Sequence, residues 1–195
     1  MTTESVRSRE MYRQFYTDRI GAFLWDEVKA NARAAYAPNP DVAANDDFHG
    51  GALFIALLKQ HIVEHGPLRV NLIGYSAGAI HLCHFIDYAA KVLDEGFAFE
   101  HVILVAPAAN FGTFRAGIVT HAKRIKALRL FAMSDAHERQ DPLVKLAPVA
   151  YPHSLLYLVS GLLERDGPDT PLVGLVRHLE GERYAGVEAV AAGRQ

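Results

Sequence analysis

From Gly51 to His65 the larger apolar residues, Leu53, Phe54, Leu57, Leu58 and Ile62, recur at three- and four-residue spacing, and Gly66-Pro67 follows as a stop signal. That is the period of a helix with one apolar face. Leu68 to Ile73 then reads as a short strand, and Ala77 to about Leu93 as a second helix ended near Gly96. His101-Val-Ile-Leu-Val-Ala106 is an unbroken apolar run rich in β-branched residues, as expected of a strand covered on both faces in a parallel sheet. Leu128 to Met133 and Leu155 to Ser160 repeat that character, with helix-like segments between them at Phe114 to Lys126 and Leu143 to Ala147. Ahead of all these, Ser5 to about Ala35 reads mainly as helix. Ile20 to Trp25 also fits a short buried strand, because so brief a run has no decisive period. Pro38 to Asp47, where Pro, Asn and Asp cluster, is a loop.

The resulting order, α, β, α, β, α, β, β, predicts an α/β fold: three layers, α/β/α, around a mostly parallel sheet with helices on both faces. One domain over residues 1–195 is expected, with a helical segment and loop over 1–47 and the core over 48–180. No internal repeat or low-complexity stretch interrupts it.

Composition narrows the function classes. Half of the residues are apolar, enough for a core, and 20 Lys plus Arg nearly balance 22 Asp plus Glu. A net charge of −2 gives no field for a phosphate backbone or an anionic membrane, so nucleic acid is not an expected partner. The single cysteine, Cys83, has no internal disulfide partner and fits a reducing compartment, which makes cytoplasm the expectation. Met1 to Asp18 is charged and lacks the apolar stretch of a signal peptide, and no later run approaches the ~18 apolar residues of a membrane span.

The chemistry-bearing segment is Gly74-Tyr75-Ser76-Ala77-Gly78, placed between the predicted strand and the predicted helix. A bare Gly-x-Ser-x-Gly is common by chance; a strand that runs into it and a helix that leaves it give it meaning. The sharp turn forces the serine into a strained backbone, so the small residues Gly74 and Gly78 are expected to avoid clashes around it. It also points the Ala77 N–H, at a helix start, toward the position of an oxyanion.

On these residues the chain resembles the α/β-hydrolase superfamily, over about Gly51 to Leu179. Further blocks, Trp25-Asp-Glu-Val-Lys-Ala-Asn31-Ala32, Ala106-Pro107-Ala108, Ser134-Asp135-Ala136, Ser154-Leu-Leu-Tyr-Leu-Val-Ser160 and Thr170-Pro171-Leu172, look like those of a poorly characterised group of bacterial hydrolase-like proteins. The resemblance implies a serine hydrolase that cleaves an ester or thioester through an acyl-enzyme, needs no cofactor or metal, and uses a small acyl substrate. A homo-oligomer is compatible with it. Two departures stand out. The superfamily places several strands and an oxyanion loop ahead of the elbow, where this chain has 75 mostly helical residues, and the narrower group carries a downstream His-Gly-Gly that is absent here. A shortened or partial form of a larger hydrolase domain is therefore an expectation beside the complete enzyme, as is a non-catalytic relative that binds a partner protein.

Chain order in the superfamily is Ser, then acid, then His, and the site lies at the carboxyl ends of the strands. Asp135, two residues past Leu128 to Met133, is the expected acid, with Asp141 as its rival. His178 alone follows the predicted strand Leu155 to Ser160 and is the expected base; His153 precedes that strand, and His137 beside Asp135 is the outside alternative. His49-Gly50-Gly51 reads as a helix start, not as an oxyanion loop, since it stands 27 residues before Ser76. His81 and His84 lack a third ligand at fitting spacing and read as core or surface histidines. Arg115, Lys123, Arg124 and Lys126 read as one solvated helix face.

Overall fold

The computed structural model describes residues 20–36, 49–141, 153–165 and 169–179. The predicted segments Ser5 to Arg19, Pro38 to Asp47 and Leu143 to Ala147 lie outside the described residues. Helix α1 covers residues 20–34, so Ile20 to Trp25 is helical and not a strand. Helix α2, Gly50–His65, starts at His49-Gly50 as the sequence predicts, and its chain ends where the Gly66 amide bonds back to the Ile62 carbonyl. Strand β1 is Asn71–Tyr75, helix α3 Gly78–Val92, strand β2 Phe99–Val105 and strand β3 Ile125–Phe131.

The three strands form one parallel sheet in the order β1-β2-β3, so the chain is a mixed α/β fold. Ile73 stands beside Ile103, and Ile103 beside Arg129; one step on, Tyr75, Val105 and Phe131 form a row. Alternation along each strand separates two faces. Leu72, Val102, Leu104, Leu128 and Leu130 point into the main core, where they meet Ile55, Ala79, Ile86, Phe114 and Ile118. The opposite face carries Ile73, Tyr75 and Phe131, which are 69%, 70% and 54% exposed. Parallel sheets are ordinarily covered on both sides; among the described residues this one is covered on one.

Three expectations are corrected. Leu155 to Ser160 is not a strand: Leu155–Leu158 is a short helix, continued by a wider turn over Val159–Leu163. The run is apolar because Leu156, Tyr157, Leu158 and Val159 are all buried, together with Ala108, Leu172 and Leu175, in a second core cluster. A helix buried on several sides shows no period, and the signal that tells it from a strand is the cap, Ser154, whose side chain accepts the Tyr157 amide. Phe114 to Lys126 is not one helix. A single turn, α4 at Phe111–Phe114, opens into a wider turn at Arg115–Val119, and β3 already begins at Ile125. Gly117 explains the distortion, because a Cβ there would stand 2.3 Å from the Cys83 carbonyl oxygen; α3 and this segment touch backbone to backbone. Finally, the four cations do not share one helix face. Arg124 donates to the carbonyls of Leu93 and Asp94, and Lys126 pairs with Glu100.

Two short helices complete the described chain, α5 at Asp135–Gln140 and α6 at Leu155–Leu158, followed by a turn at Val176–His178. Helix α1 is tied to the second cluster through Glu164, a buried carboxylate that accepts from Trp25 Nε1 at 2.9 Å and Lys29 Nζ at 2.8 Å. Among the described residues, no helix is long and apolar enough to cross a membrane.

Candidate active site

Ser76 immediately follows β1 and takes φ +51, the left-handed region that L-residues avoid. The neighbouring strand holds it there. Its amide donates to the Val105 carbonyl at 2.9 Å, and its carbonyl accepts from Ala108 at 3.1 Å and Ala79 at 3.1 Å. The end of β2 is bent in the same manner, with Ala106 at φ +44 and its amide donated to Phe131. Backbone strain at adjacent strand ends, fixed by hydrogen bonds on both sides, is the arrangement in which strain serves a site.

Gly74 is needed for this turn, since a Cβ there would stand 2.9 Å from Leu82 Cδ1 and 3.1 Å from the Ala79 nitrogen. Gly78 is not needed for the reason the sequence suggests: a Cβ at that position meets nothing within 4 Å. The Ser76 hydroxyl is half-buried and has no hydrogen-bond partner among the described residues. Ala77, in helical conformation just ahead of α3, likewise has no acceptor for its N–H among them. A free hydroxyl and a free N–H at the start of a fifteen-residue helix can serve as nucleophile and oxyanion donor.

The expected partners are placed differently from one another. Asp135 lies past the carboxyl end of β3, at the start of α5, but its carboxylate is taken by the Tyr157 hydroxyl and by Arg139 Nε at 2.8 Å. The Tyr157 hydroxyl, with the charges of Arg139 and Arg177, holds this carboxyl below the usual carboxylate range. Among the hydrogen bonds of the described residues, none joins it to the imidazole of His137 or His178. Asp141 is exposed at the end of the same helix, and His137 Nδ1 is bonded to the Ser134 hydroxyl at 2.6 Å. His153 meets the Arg139 carbonyl.

His178 is buried. Its Nδ1 accepts the Leu172 amide at 3.1 Å and its Nε2 faces Asp169 Oδ1 at 3.3 Å. The segment that carries it packs on the crest of the sheet: Leu172 pairs with Asn110, the Val173 amide donates to Ala109, and Gly174 lies so close to Pro107 that a Cβ would stand 2.4 Å from its carbonyl oxygen. Burial, and then the Arg177 guanidinium, push the imidazole below its usual pKa, so it is neutral, with Nε2–H donating and the Nδ1 lone pair occupied. Neither nitrogen is bonded to Ser76. The carboxylate beside His178 is therefore Asp169, held at φ +64 and also bonded by Ser160 and Arg177.

Two functional candidates escape sequence reasoning. Asp169 sits in a loop stretch with nothing to mark it out. Glu138, on α5 beside Asp135, is 1% exposed with neither carboxylate oxygen hydrogen-bonded among the described residues, and burial pushes its pKa up. A charged residue on a helix reads as solvated, and no pattern signals otherwise. His81 is exposed and His84 half-buried on α3. Cys83 is buried and free, its thiol pushed up to about 12 by desolvation, which makes it inert at neutral pH. Among the described residues no group of three His, Cys, Asp or Glu is arranged to hold a metal.

No family model matches the chain, and neither the curated proteins nor the solved structures contain a match to it.

Proposed function

We propose that this chain is a serine hydrolase of the α/β-hydrolase type that cleaves an ester or thioester, with Ser76 as nucleophile and the Ala77 N–H as one oxyanion donor. The observation that carries the proposal is Ser76 itself: a serine at φ +51 between a parallel strand and a helix, its hydroxyl unengaged among the described residues. The three-layer α/β/α architecture and a cytoplasmic setting, in which Cys83 stays a thiol, belong to the same proposal. In the reaction Ser76 Oγ attacks the acyl carbonyl, the proton passes to a base, the alcohol or thiol leaves, and water then releases the acid.

Chain order names His178 as the base and Asp135 as its acid, whereas the carboxylate in contact with His178 is Asp169, which makes Asp169 the favoured acid of this proposal. For His178 to accept the proton, its Nδ1 must let go of the Leu172 amide, because Nε2 is already turned to Asp169. Intact-mass analysis after fluorophosphonate treatment tests the nucleophile: one adduct is expected on the wild-type chain and none on Ser76→Ala. Equal labelling of both, or none of either, would end the proposal.

A second reading has its own observation. The uncovered sheet face with Ile73, Tyr75 and Phe131, and the exposed Phe54 and Leu57 of α2, favour a partial hydrolase domain, or a non-catalytic one, completed by another polypeptide. Light scattering separates the readings. A monodisperse, labelled monomer supports the first, and assembly or aggregation relieved by Ile73→Thr and Phe131→Thr supports the second.

A further inference from the structure

A cavity of about 230 Å³ lies on the flank of α3, bounded by Arg33 of α1, by His84 and Asp87 of α3, and by Gly112, Thr113 and Gly117 of the segment that follows β2. His84 and Asp87 are six and nine residues into α3, so the cavity is about 9–14 Å along the helix axis from the elbow. It is smaller than the pockets of about 300–1,000 Å³ that take drug-sized ligands, and so suits a molecule of a few heavy atoms.

The charges in it are unequally satisfied. Asp87 already holds Lys91 Nζ at 2.7 Å and His121 Nε2 at 3.0 Å, one on each oxygen. The Arg33 side chain is exposed and has no hydrogen bond or ion pair among the described residues, and the Thr113 hydroxyl also lacks a partner among them. Burial, and then the charge of Arg33, push His84 below its usual pKa, which favours the neutral ring with its one donor and one acceptor. The free functions are thus one planar cation, one neutral imidazole and one hydroxyl.

We propose that this cavity binds a small hydroxycarboxylate, its carboxylate forked on the Arg33 guanidinium and its hydroxyl set against the His84 ring and Thr113. The two parallel N–H groups of a guanidinium match the two oxygens of a carboxylate. A metal cation is disfavoured by Arg33, and a dianionic phosphate by the carboxylate of Asp87 and by there being one free cation, Arg33, among the described residues of the lining. Cys83 supplies wall only, through the backbone that Gly117 touches.

The test is a titration of the full chain with glycolate, followed through the His84 ring signals by NMR, with glycolamide as neutral isostere and inorganic phosphate as a second anion. Glycolate should shift the His84 signals saturably and raise the pH at which that ring titrates, since an anion beside an imidazole favours its protonated form. Arg33→Gln, a surface change, should weaken glycolate about tenfold or more, since a charge-assisted contact is lost. Thr113→Val should weaken it less, and Ser76→Ala should bind as wild type, which keeps this site apart from the elbow. No saturable shift, an Arg33→Gln variant that binds equally, or glycolamide or phosphate binding as tightly as glycolate, would each overturn the proposal.

Discussion

The carbonyl oxygen of Ser76 accepts the Ala108 amide at 3.1 Å, which locks a left-handed serine at the end of β1 onto the chain just beyond β2. The left-handed conformation costs a non-glycine residue roughly 1–2 kcal/mol, and only the surrounding hydrogen bonds maintain it. Ser76→Gly should therefore be more stable than Ser76→Ala, by about 1 kcal/mol, since both lose the hydroxyl but only glycine is free of the strain. Urea unfolding of the two variants checks this. Equal midpoints would mean that the turn carries no strain.

The two glycines of the elbow should behave oppositely. Gly74→Ala drives a methyl group against Leu82 and the Ala79 nitrogen, with an expected loss of about 1–3 kcal/mol. Gly78→Ala meets open space at the first position of α3 and should be neutral, or stabilising by up to about 1 kcal/mol. Melting temperatures of the two single variants decide the matter, and a Gly78→Ala loss as large as that of Gly74→Ala would show that the space around Gly78 is filled in solution.

That contrast marks how far the sequence was legible. The elbow and the parallel strands could be read because they depend on local pattern: Gly-x-Ser-x-Gly between a strand and a helix, and β-branched runs such as Val102 to Val105. The sequence places β3 three residues late because the exposed, charged Lys126 near its start interrupts the apolar run. Leu155 to Ser160 misled because a short helix buried on several sides has no polar face to betray its period. The partner of His178 was out of reach for another reason. Asp169 is brought to it by a left-handed turn in a loop, and side-chain pairing of that kind is a product of the packed fold and leaves no spacing in the chain.

Glu164 should be the fastener of α1. It is buried and accepts from both Trp25 and Lys29, so Glu164→Gln weakens two hydrogen bonds to a charged acceptor. A loss of about 2–3 kcal/mol is expected. Trp25 is the only tryptophan in the chain, so its fluorescence reports the event directly. The emission should move to the red in Glu164→Gln at temperatures where the far-ultraviolet circular dichroism is still native. An unchanged spectrum would assign α1 another anchor.

Acid should act on stability with two opposite signs. His178 and His84 have folded pKa values below the ordinary value of about 6.5, so as pH falls below that value the unfolded chain takes up protons first and the fold loses stability. Glu138 has a folded pKa raised by burial. Its ionised form is disfavoured in the fold, and the stability present below its unfolded value of about 4.5 is lost as pH rises through the folded one. His178→Asn should therefore flatten the decline between pH 7.5 and 5.5, while Glu138→Gln should raise stability at neutral pH more than at pH 4. Urea midpoints across this range give the slopes. A Glu138→Gln variant less stable at pH 7 would mean that the carboxylate has a partner in solution.

The last prediction separates the two carboxylates that compete for the acid. Asp135 is bonded to Tyr157 and Arg139, whereas Asp169 is the one beside His178. If His178 takes the Ser76 proton, the carboxylate in contact with the imidazole is the one that stabilises its charged form. Asp169→Asn should then slow fluorophosphonate labelling of Ser76 at least about tenfold, and by nearly as much as His178→Ala, because members of one relay do not act additively. Asp135→Asn should instead resemble Tyr157→Phe: a small drop in melting temperature with the labelling rate preserved, as befits a carboxylate that joins α5 to α6. The pH profile distinguishes a chemical role from a structural one. In Asp169→Asn the labelling rate should titrate at lower pH than in wild type, since the carboxylate that favours imidazolium is gone, whereas a structural defect would lower the rate at every pH alike. Slow labelling confined to Asp135→Asn would return the acid to Asp135 and require the 169–179 segment to release His178 before reaction.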